Sequence, residues 1–249
     1  METIGRLNAI LEVIRSSPRR VNKLFIDRDK RSGKVHQIVA EARRQKIPFV
    51  FVPRDKLFEL DPDNQGAAAL LSAQEFAGLE DILASAKNPF LVLLDEVEDP
   101  QNLGAIIRSA EAAGADGIVL PERRSATLTD SVLAVSAGAS AHLGVARIKN
   151  LAQTMDLLKD RGLWLIGAEK DGEGLFYEFD YTTPIGLVFG SEGKGLRHLV
   201  REKCDKVLSI PQRGRVNSLN VAAAASVFLF EVVRQRLAKE RRDKEGSRT

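Results

Sequence analysis

The chain has 249 residues, 44% hydrophobic and 29% charged, enough apolar material for one large domain or two modest ones and enough charge for solubility. Its one cysteine, Cys204, excludes an intrachain disulfide and a cysteine cage for a metal. No apolar run approaches a membrane span, and the opening METIGRLNAI lacks a secretory-leader pattern, so a cytoplasmic setting is expected. The net charge of +3 hides a segregation. Residues 1–50 carry twelve Lys/Arg against five acids, residues 51–100 three against eleven, and residues 234–249 seven against three. That distribution suits contact of the N-terminal part with a polyanion, and equally a solvated basic surface.

In chain order, Ile4, Leu7, Ile10, Leu11 and Ile14 recur at helical spacing across IGRLNAILEVIRSS. KLFI (23–26) predicts a short strand and KVHQIVAEARRQK (34–46) a second amphipathic helix. Pro48 opens a strand, PFVFV, Pro53 opens a helix, PRDKLFEL, and GAAALLS (66–72) predicts a third strand. Residues 1–72 therefore read as a small α/β domain. A polar helix over 73–87, ending at Asn88-Pro89, reads as a linker spanning 73–88.

A second alternation fills 89–240. Strand FLVLLDEV precedes helix NLGAIIRSAEAAG; strand GIVL precedes helix TDSVLAVSA; a short strand HLGVARI precedes helix NLAQTMDLLKDR. Strands LWLIGA, IGLVFG and KVLSI follow, then a long terminal helix, and 241–249 form a charged tail. Strands that are apolar throughout and alternate with helices predict a parallel sheet covered on both faces.

Ligands of open α/β sheets bind beyond the carboxyl ends of the strands, so the segments after strands are read most closely. In LLDEVEDPQNLGAIIRSAEAAGA, Asp99-Pro100 breaks the strand, Asn102 is a candidate N-cap, Gly104 permits close approach, and Arg108 follows one turn on. A capped helix start with an arginine suits an anionic or polar ligand, but taken alone the spacing suits an ordinary β–α turn better. The acids Asp95, Glu96, Glu98 and Asp99 have no His or Cys beside them and read as turn caps rather than metal ligands. GLVFGSEGKGL places Gly190, Gly193 and Gly195 after a buried strand, together with Glu192. It fits neither the P-loop nor the dinucleotide pattern, and reads either as main chain set against a ligand or as a flexible turn. In LSIPQRGRVNSLNVAAAAS, Asn217 or Ser218 can cap the last helix, with Asn220 in its first turn. Alanine is the best helix former, yet Ala222 to Ala225 cover every side of the helix, which predicts crowding from several directions.

Together the three segments, D-x-V-x-D-P-x-N-x-G-x-x-x-R (Asp95 to Arg108), F-G-S-E-G-x-G (Phe189 to Gly195) and I-P-x-x-G-x-x-x-S-L-N-V (Ile210 to Val221), resemble the three motifs of the SpoU, or TrmH-type, RNA ribose methyltransferases of the SPOUT superfamily. The likeness spans about 90–236, and the region before it resembles the ribosomal-protein-like RNA-binding domain of several members. The resemblance implies an α/β SPOUT domain with a deep trefoil knot, S-adenosylmethionine held by main chain at Gly190, Ile210 and Leu219, and a homodimer through the knotted domain with sites shared between subunits. It assigns catalytic or substrate roles to Asn102, Arg108, Glu192, Ser218 and Asn220. Within the family the likeness is nearest the bacterial enzymes that methylate a guanosine 2′-oxygen of large-subunit ribosomal RNA. Action on transfer RNA, antibiotic resistance through ribosome methylation, and a non-catalytic RNA-binding or ribosome-assembly role are the alternatives. The implied partners are RNA and a second copy, with no metal and no membrane.

Two positions depart from the family pattern. Asn64-Gln65-Gly66 stands where relatives often have His-Gln-Gly, and Glu96 stands where glycine is common. His36, His142 and His198 match no family position and read as surface or packing residues; Cys204 reads as a small buried packer. Arg15, Arg19, Arg20, Lys23, Arg28, Lys30, Arg31 and Lys34 are the expected RNA-facing residues.

Overall fold

Two sheets form, each where a run of apolar strands finds helices to cover it. The computed structural model describes residues 2–16, 18–30, 32–71, 76–215 and 218–246. It divides into two units: Met1–Glu75 with Leu128–His142, and Phe76–Thr127 with Leu143–Thr249.

The first unit runs β1 (Glu2–Ile4), α1 (Leu7–Ser16), β2 (Val21–Asp27), α2 (Gly33–Arg44), β3 (Phe49–Val52), α3 (Arg54–Leu60) and β4 (Ala67–Leu71). Its sheet order is β1-β4-β2-β3, with β4 antiparallel to β1 and β2, and β3 a parallel edge strand on β2. α2 begins where the Ser32 hydroxyl accepts from the Val35 N–H at 3.2 Å, and it buries Val35, Ile38 and Ala42 on one face. Ala67, Ala68 and Ala69 of β4 are fully buried. β1 was not expected: three residues are too few to show a strand period, and only pairing with β4 defines it. The Asn64–Gly66 turn is locally built. Asn64 Oδ1 accepts from the Gly66 N–H at 3.1 Å, Gln65 Oε1 accepts from the Leu7 N–H at 3.3 Å, and Gly66 takes the left-handed φ of 103°.

The second unit runs α4 (Leu79–Ser85), β5 (Phe90–Leu94), α5 (Pro100–Ala112) and β6 (Gly117–Pro121). After α6 (Asp130–Val135), which lies in the segment grouped with the first unit, come β7 (Gly144–Ile148), α7 (Leu151–Asp160), β8 (Trp164–Ala168) and β9 (Gly174–Leu175). The chain ends with β10 (Ile185–Phe189), α8 (His198–Lys203), β11 (Lys206–Ser209) and α9 (Val221–Gly246). The sheet order is β7-β6-β5-β10-β8-β11-β9, and every neighbouring pair is parallel, as the apolar strands predict. Every residue of β5, β6 and β10 is buried. One core combines Leu91, Leu93, Leu165 and Val188 of the strands with Met155, Leu158 and Val200 of the helices. α9 adds Phe228, whose ring meets Phe189 edge-on at 5.9 Å.

The two-residue β9 and the six-residue α8 are too short to carry a period and were not expected. The stretch read as a linker helix is shorter than expected among the described residues. It is anchored in the second unit, because Ile82 occupies the space that a Cβ on Gly117 would need.

The second half of α9 is tied down by polar groups. Arg236 donates to the carbonyls of Tyr181 (3.2 Å), Asn88 (3.2 Å) and Thr183 (3.1 Å), and its guanidinium lies over the Phe90 ring. Gln235 Oε1 accepts from the Tyr181 N–H at 3.0 Å, and its Nε2 donates to the Phe179 carbonyl at 2.9 Å. Burial pulls the Arg236 pKa below its usual value, with Asp116 opposing. Arg236→Ala leaves three carbonyls without their charged donor and is expected to cost about 2 kcal/mol of unfolding free energy, read from urea denaturation.

Candidate functional site

The carboxyl ends of β8, β10 and β11 open on a cavity of about 300 Å³. Its walls include Gly190, Glu192, Ile210, Ser218 and Leu219, so five of the eight sequence-expected site residues share one cleft. Ala168 at the end of β8 and Glu169 to Asp171 after it form a wall that the motifs do not mark. Their only signal was position after a strand, since they carry no motif.

Backbone shape makes this cleft. A Cβ on Gly190 would run into the backbone of Gly195 and Leu196, so only glycine lets the loop fold back here. Ser191 and Gly195 exchange backbone hydrogen bonds of 3.1 and 3.0 Å, and Gly193 (φ 84°) and Gly195 (φ 70°) take left-handed conformations. The loop is thus a closed hairpin rather than a flexible turn. Glu169, at the end of β8, holds it: Oε1 accepts from the Leu196 N–H at 2.9 Å and Oε2 from Arg201 Nε at 2.7 Å.

A chain of side chains links the three motif segments. Asn102 is buried, 7% exposed; its Nδ2 donates to Glu192 Oε2 at 3.1 Å, while its Oδ1 accepts from Asn220 Nδ2 at 2.8 Å. Asn220 Oδ1 in turn accepts from the N–H groups of Ala222 (2.9 Å) and Ala223 (3.3 Å), capping α9. The chain has one direction. A carboxylate only accepts, so it fixes the Asn102 amide, which fixes Asn220, which ends on the orphan donors of a helix start.

These contacts correct both capping expectations. α5 is capped by Asp99, whose carboxylate accepts from the Gln101 N–H at 2.8 Å, which frees Asn102 to reach Glu192. Asn220, and not Ser218, caps α9; Asn217 lies outside the described residues. Crowding around the alanines is also uneven. Ala222 and Ala225 are buried, Ala224 faces the cleft, and Ala223 is exposed.

Asp95, fully buried, accepts from the Arg197 backbone N–H at 2.8 Å and from its Nε at 2.7 Å, tying the end of β5 to the start of α8. Hydrogen bonding to Asp95 raises the Arg197 pKa, against some desolvation. The neighbouring Glu96 holds φ 58°, a left-handed position where glycine costs nothing, and pairs with Arg124 at 3.1 Å. Arg108 is exposed on α5, outside the cleft lining, and makes no hydrogen bond or ion pair with the described residues.

An all-parallel sheet with a glycine-shaped cleft at its strand ends places the unit among the open-sheet α/β proteins that bind ligands there. The model of the SpoU rRNA Methylase family matches residues 89–230, and the RNA 2′-O ribose methyltransferase substrate-binding model matches residues 7–77. The chain is 42% identical over 238 residues to Bacillus subtilis YacO, named for the TrmH family of tRNA/rRNA methyltransferases; the match covers 94% of this chain and 95% of that protein. Among solved structures it is similar to the SpoU methyltransferase AviRb of Streptomyces viridochromogenes in complex with AdoMet, with 27% identity and TM-score 0.80 over 95% of this chain and 90% of that one. It is also similar to an AdoMet-bound rRNA methyltransferase of Sinorhizobium meliloti, with 25% identity and TM-score 0.78 over 94% and 87%. The chain belongs to the SpoU rRNA methylase family.

The remaining titratable groups are peripheral. His36, His142 and His198 are exposed; His142 meets Glu12 at 3.1 Å and His198 meets Glu202 at 3.4 Å. Among the described residues no three His, Cys, Asp or Glu gather as a metal would require. Cys204 packs beneath Gly167 and its thiol donates to the Val200 carbonyl at 3.4 Å. Burial, with Asp205 and Glu169 nearby, pushes the thiol pKa up to about 12. The folded chain at pH 8 should therefore resist iodoacetamide, and should label rapidly once denatured. Because the folded pKa is raised, this group's stabilisation is complete below the unfolded thiol pKa and fades as pH rises from there toward 12.

Proposed function

We propose that the chain transfers a methyl group from S-adenosylmethionine to a ribose 2′-hydroxyl of RNA, with a guanosine of large-subunit ribosomal RNA as the target. The observation that carries this is the cleft walled by Gly190, Ile210 and Leu219 and joined through Glu192 to the buried Asn102 and on to Asn220. The loop that tolerates no Cβ at Gly190 leaves main chain on the cleft wall, which fits a cofactor held by hydrogen bonds, and the volume lies at the lower end for small-molecule sites. When bound, S-adenosylmethionine supplies an electrophilic methyl group on a sulfonium.

The protein's own part is alignment and charge. Gly190, Ile210 and Leu219 would hold the cofactor through main chain, with Glu192 and Ser218 on the same wall facing the ribose. The guanidinium of Arg108, uncommitted among the described residues, suits a substrate phosphate and the negative charge that grows on the 2′-oxygen as its proton departs. Arginine is not readily deprotonated, so clamping is the role its chemistry favours.

Arg108 lies outside the cleft of its own chain, which supports a site completed by a second copy. We extend the proposal to a homodimer through the second unit, with that unit tied in the trefoil knot expected of the family. No helix among the described residues is long and apolar enough to cross a membrane, and the proposed substrate implies a cytoplasmic setting.

The decisive experiment deletes the gene and maps 2′-O-methyl marks across all stable RNA: one mark should vanish, and an unchanged map would sink the proposal. With purified protein, calorimetry should detect S-adenosylmethionine binding, and Gly190→Ala should abolish it while circular dichroism stays folded. Arg108→Lys should bind cofactor normally and lose about a hundredfold in turnover, read from tritiated methyl incorporation. Asn102→Asp sets a second carboxylate against Glu192 and should lose turnover to a similar extent, about a hundredfold, while retaining RNA affinity.

A further inference from the structure

The parallel register of the first unit sets Phe49 beside Leu24 and Phe51 beside Ile26, so both rings share the face that Leu24 and Ile26 bury under the helices. β3 is the edge strand, and the cover runs out there. Phe49 is half-buried and Phe51 is 46% exposed. The rings meet edge to face with centroids 5.8 Å apart, and the Arg43 guanidinium lies 5.8 Å over Phe49. Phe51 thus carries a ring propped at its edge and open on the outside.

The chain leading to it is cationic. Across residues 41–52, Arg43, Arg44 and Lys46 stand against one acid, Glu41, which Arg44 engages at 2.8 Å and Arg15, from α1, at 3.7 Å. Lys46 follows α2 in a left-handed conformation, φ 56°. A lone exposed phenylalanine needs no explanation. One braced by a second ring that itself lies under a guanidinium, at the end of a helix whose last turn and following turn are basic, has the two components that single-stranded nucleic acid requires: a π face for a base and cations for the phosphates on either side.

We propose that this α2–β3 edge is a stacking site for an unpaired base of the RNA substrate, with Phe51 as the platform and Arg43, Arg44 and Lys46 as phosphate contacts. The proposal rests on the reading of the chain as an RNA methyltransferase and adds the surface and the physics by which its first unit grips RNA. Of these four residues, none was among those expected from sequence to face RNA. A duplex keeps its bases stacked on each other and offers nothing to Phe51.

The test uses the full chain and fluorescence anisotropy with a short labelled oligoadenylate and a blunt RNA duplex. Phe51→Ala and Phe51→Leu should each weaken oligoadenylate binding by about fivefold or more and leave duplex binding unchanged, whereas Phe51→Trp should restore or tighten it. Leucine keeps apolar bulk without a π face, so it separates stacking from simple burial. Changing Arg43, Arg44 and Lys46 together to glutamine should reduce the slope of log affinity against log salt by about two. Unchanged oligoadenylate affinity in Phe51→Ala, or equal losses on strand and duplex, overturns the stacking site. So does a shift in oligomeric state with RNA affinity untouched, which would make the patch a contact between copies. Methyl transfer by the unaltered chain is measured in parallel. If it binds oligoadenylate through Phe51 and transfers nothing, the enzymatic reading falls and the stacking site stands; transfer with an indifferent Phe51 gives the reverse.

Discussion

The site depends on one buried amide. Asn102 sits between a carboxylate and a second amide, and each of its polar atoms has a single use: Nδ2 for Glu192, Oδ1 for Asn220. Satisfying both holds together three segments far apart in sequence: the start of α5, the glycine hairpin after β10 and the start of α9. Removing Glu192 or Asn220 strands one polar atom of the buried Asn102 amide, at about 1–3 kcal/mol. The cost is local, yet the consequence is geometric, because the same bonds set where Glu192 stands in the cleft wall and where the first turn of α9 begins.

Around that amide the chain uses absence of side chain as a building material. Gly190 allows the hairpin to close against Leu196, and Glu169 reaches across from β8 to hold the closure. On α9, Val221, Ala224 and Phe228 line the cleft at intervals of three and four residues, the spacing of one helix face. Ala224 therefore keeps that wall thin, while Ala222 and Ala225 serve packing. One run of alanines answers to two different pressures, and Ala223, exposed in the single chain, answers to neither.

Periodicity made the parallel sheet legible, since strands buried on both faces carry an unbroken apolar run that few other environments permit. Motif order placed Gly190, Glu192, Ile210, Ser218 and Leu219 in what proves to be one cleft. Cap assignment failed twice for a shared reason. Asp99 and Asn102 are both good caps, as are Ser218 and Asn220, and spacing cannot rank them; the partner that decides, Glu192 in the first case and Asn102 in the second, arrives from ninety or more residues away. β1, β9 and α8 were illegible because each is too short to establish a period, and the wall from Ala168 to Asp171 because it acts through position. The departure at Glu96 was visible as a residue where glycine is common, but only the left-handed backbone gives it physical meaning.

On the proposed function the cleft faces a problem it cannot solve by itself. Every ribonucleotide offers the same 2′-hydroxyl, so a site that aligns one hydroxyl with one methyl donor discriminates poorly between positions in a long RNA. Discrimination then has to be drawn from contacts remote from the reacting atoms, whose binding energy can also be spent on orientation in the transition state. Phosphate contacts alone give affinity without choice. A ring that accepts only a base already out of its stack adds a structural criterion, because helical bases are refused and the positions of the remainder are fixed by the fold of the RNA. On that proposal the charge surplus of the first fifty residues and the exposed ring on its edge strand are two halves of that criterion: one would draw RNA in, the other would test its shape.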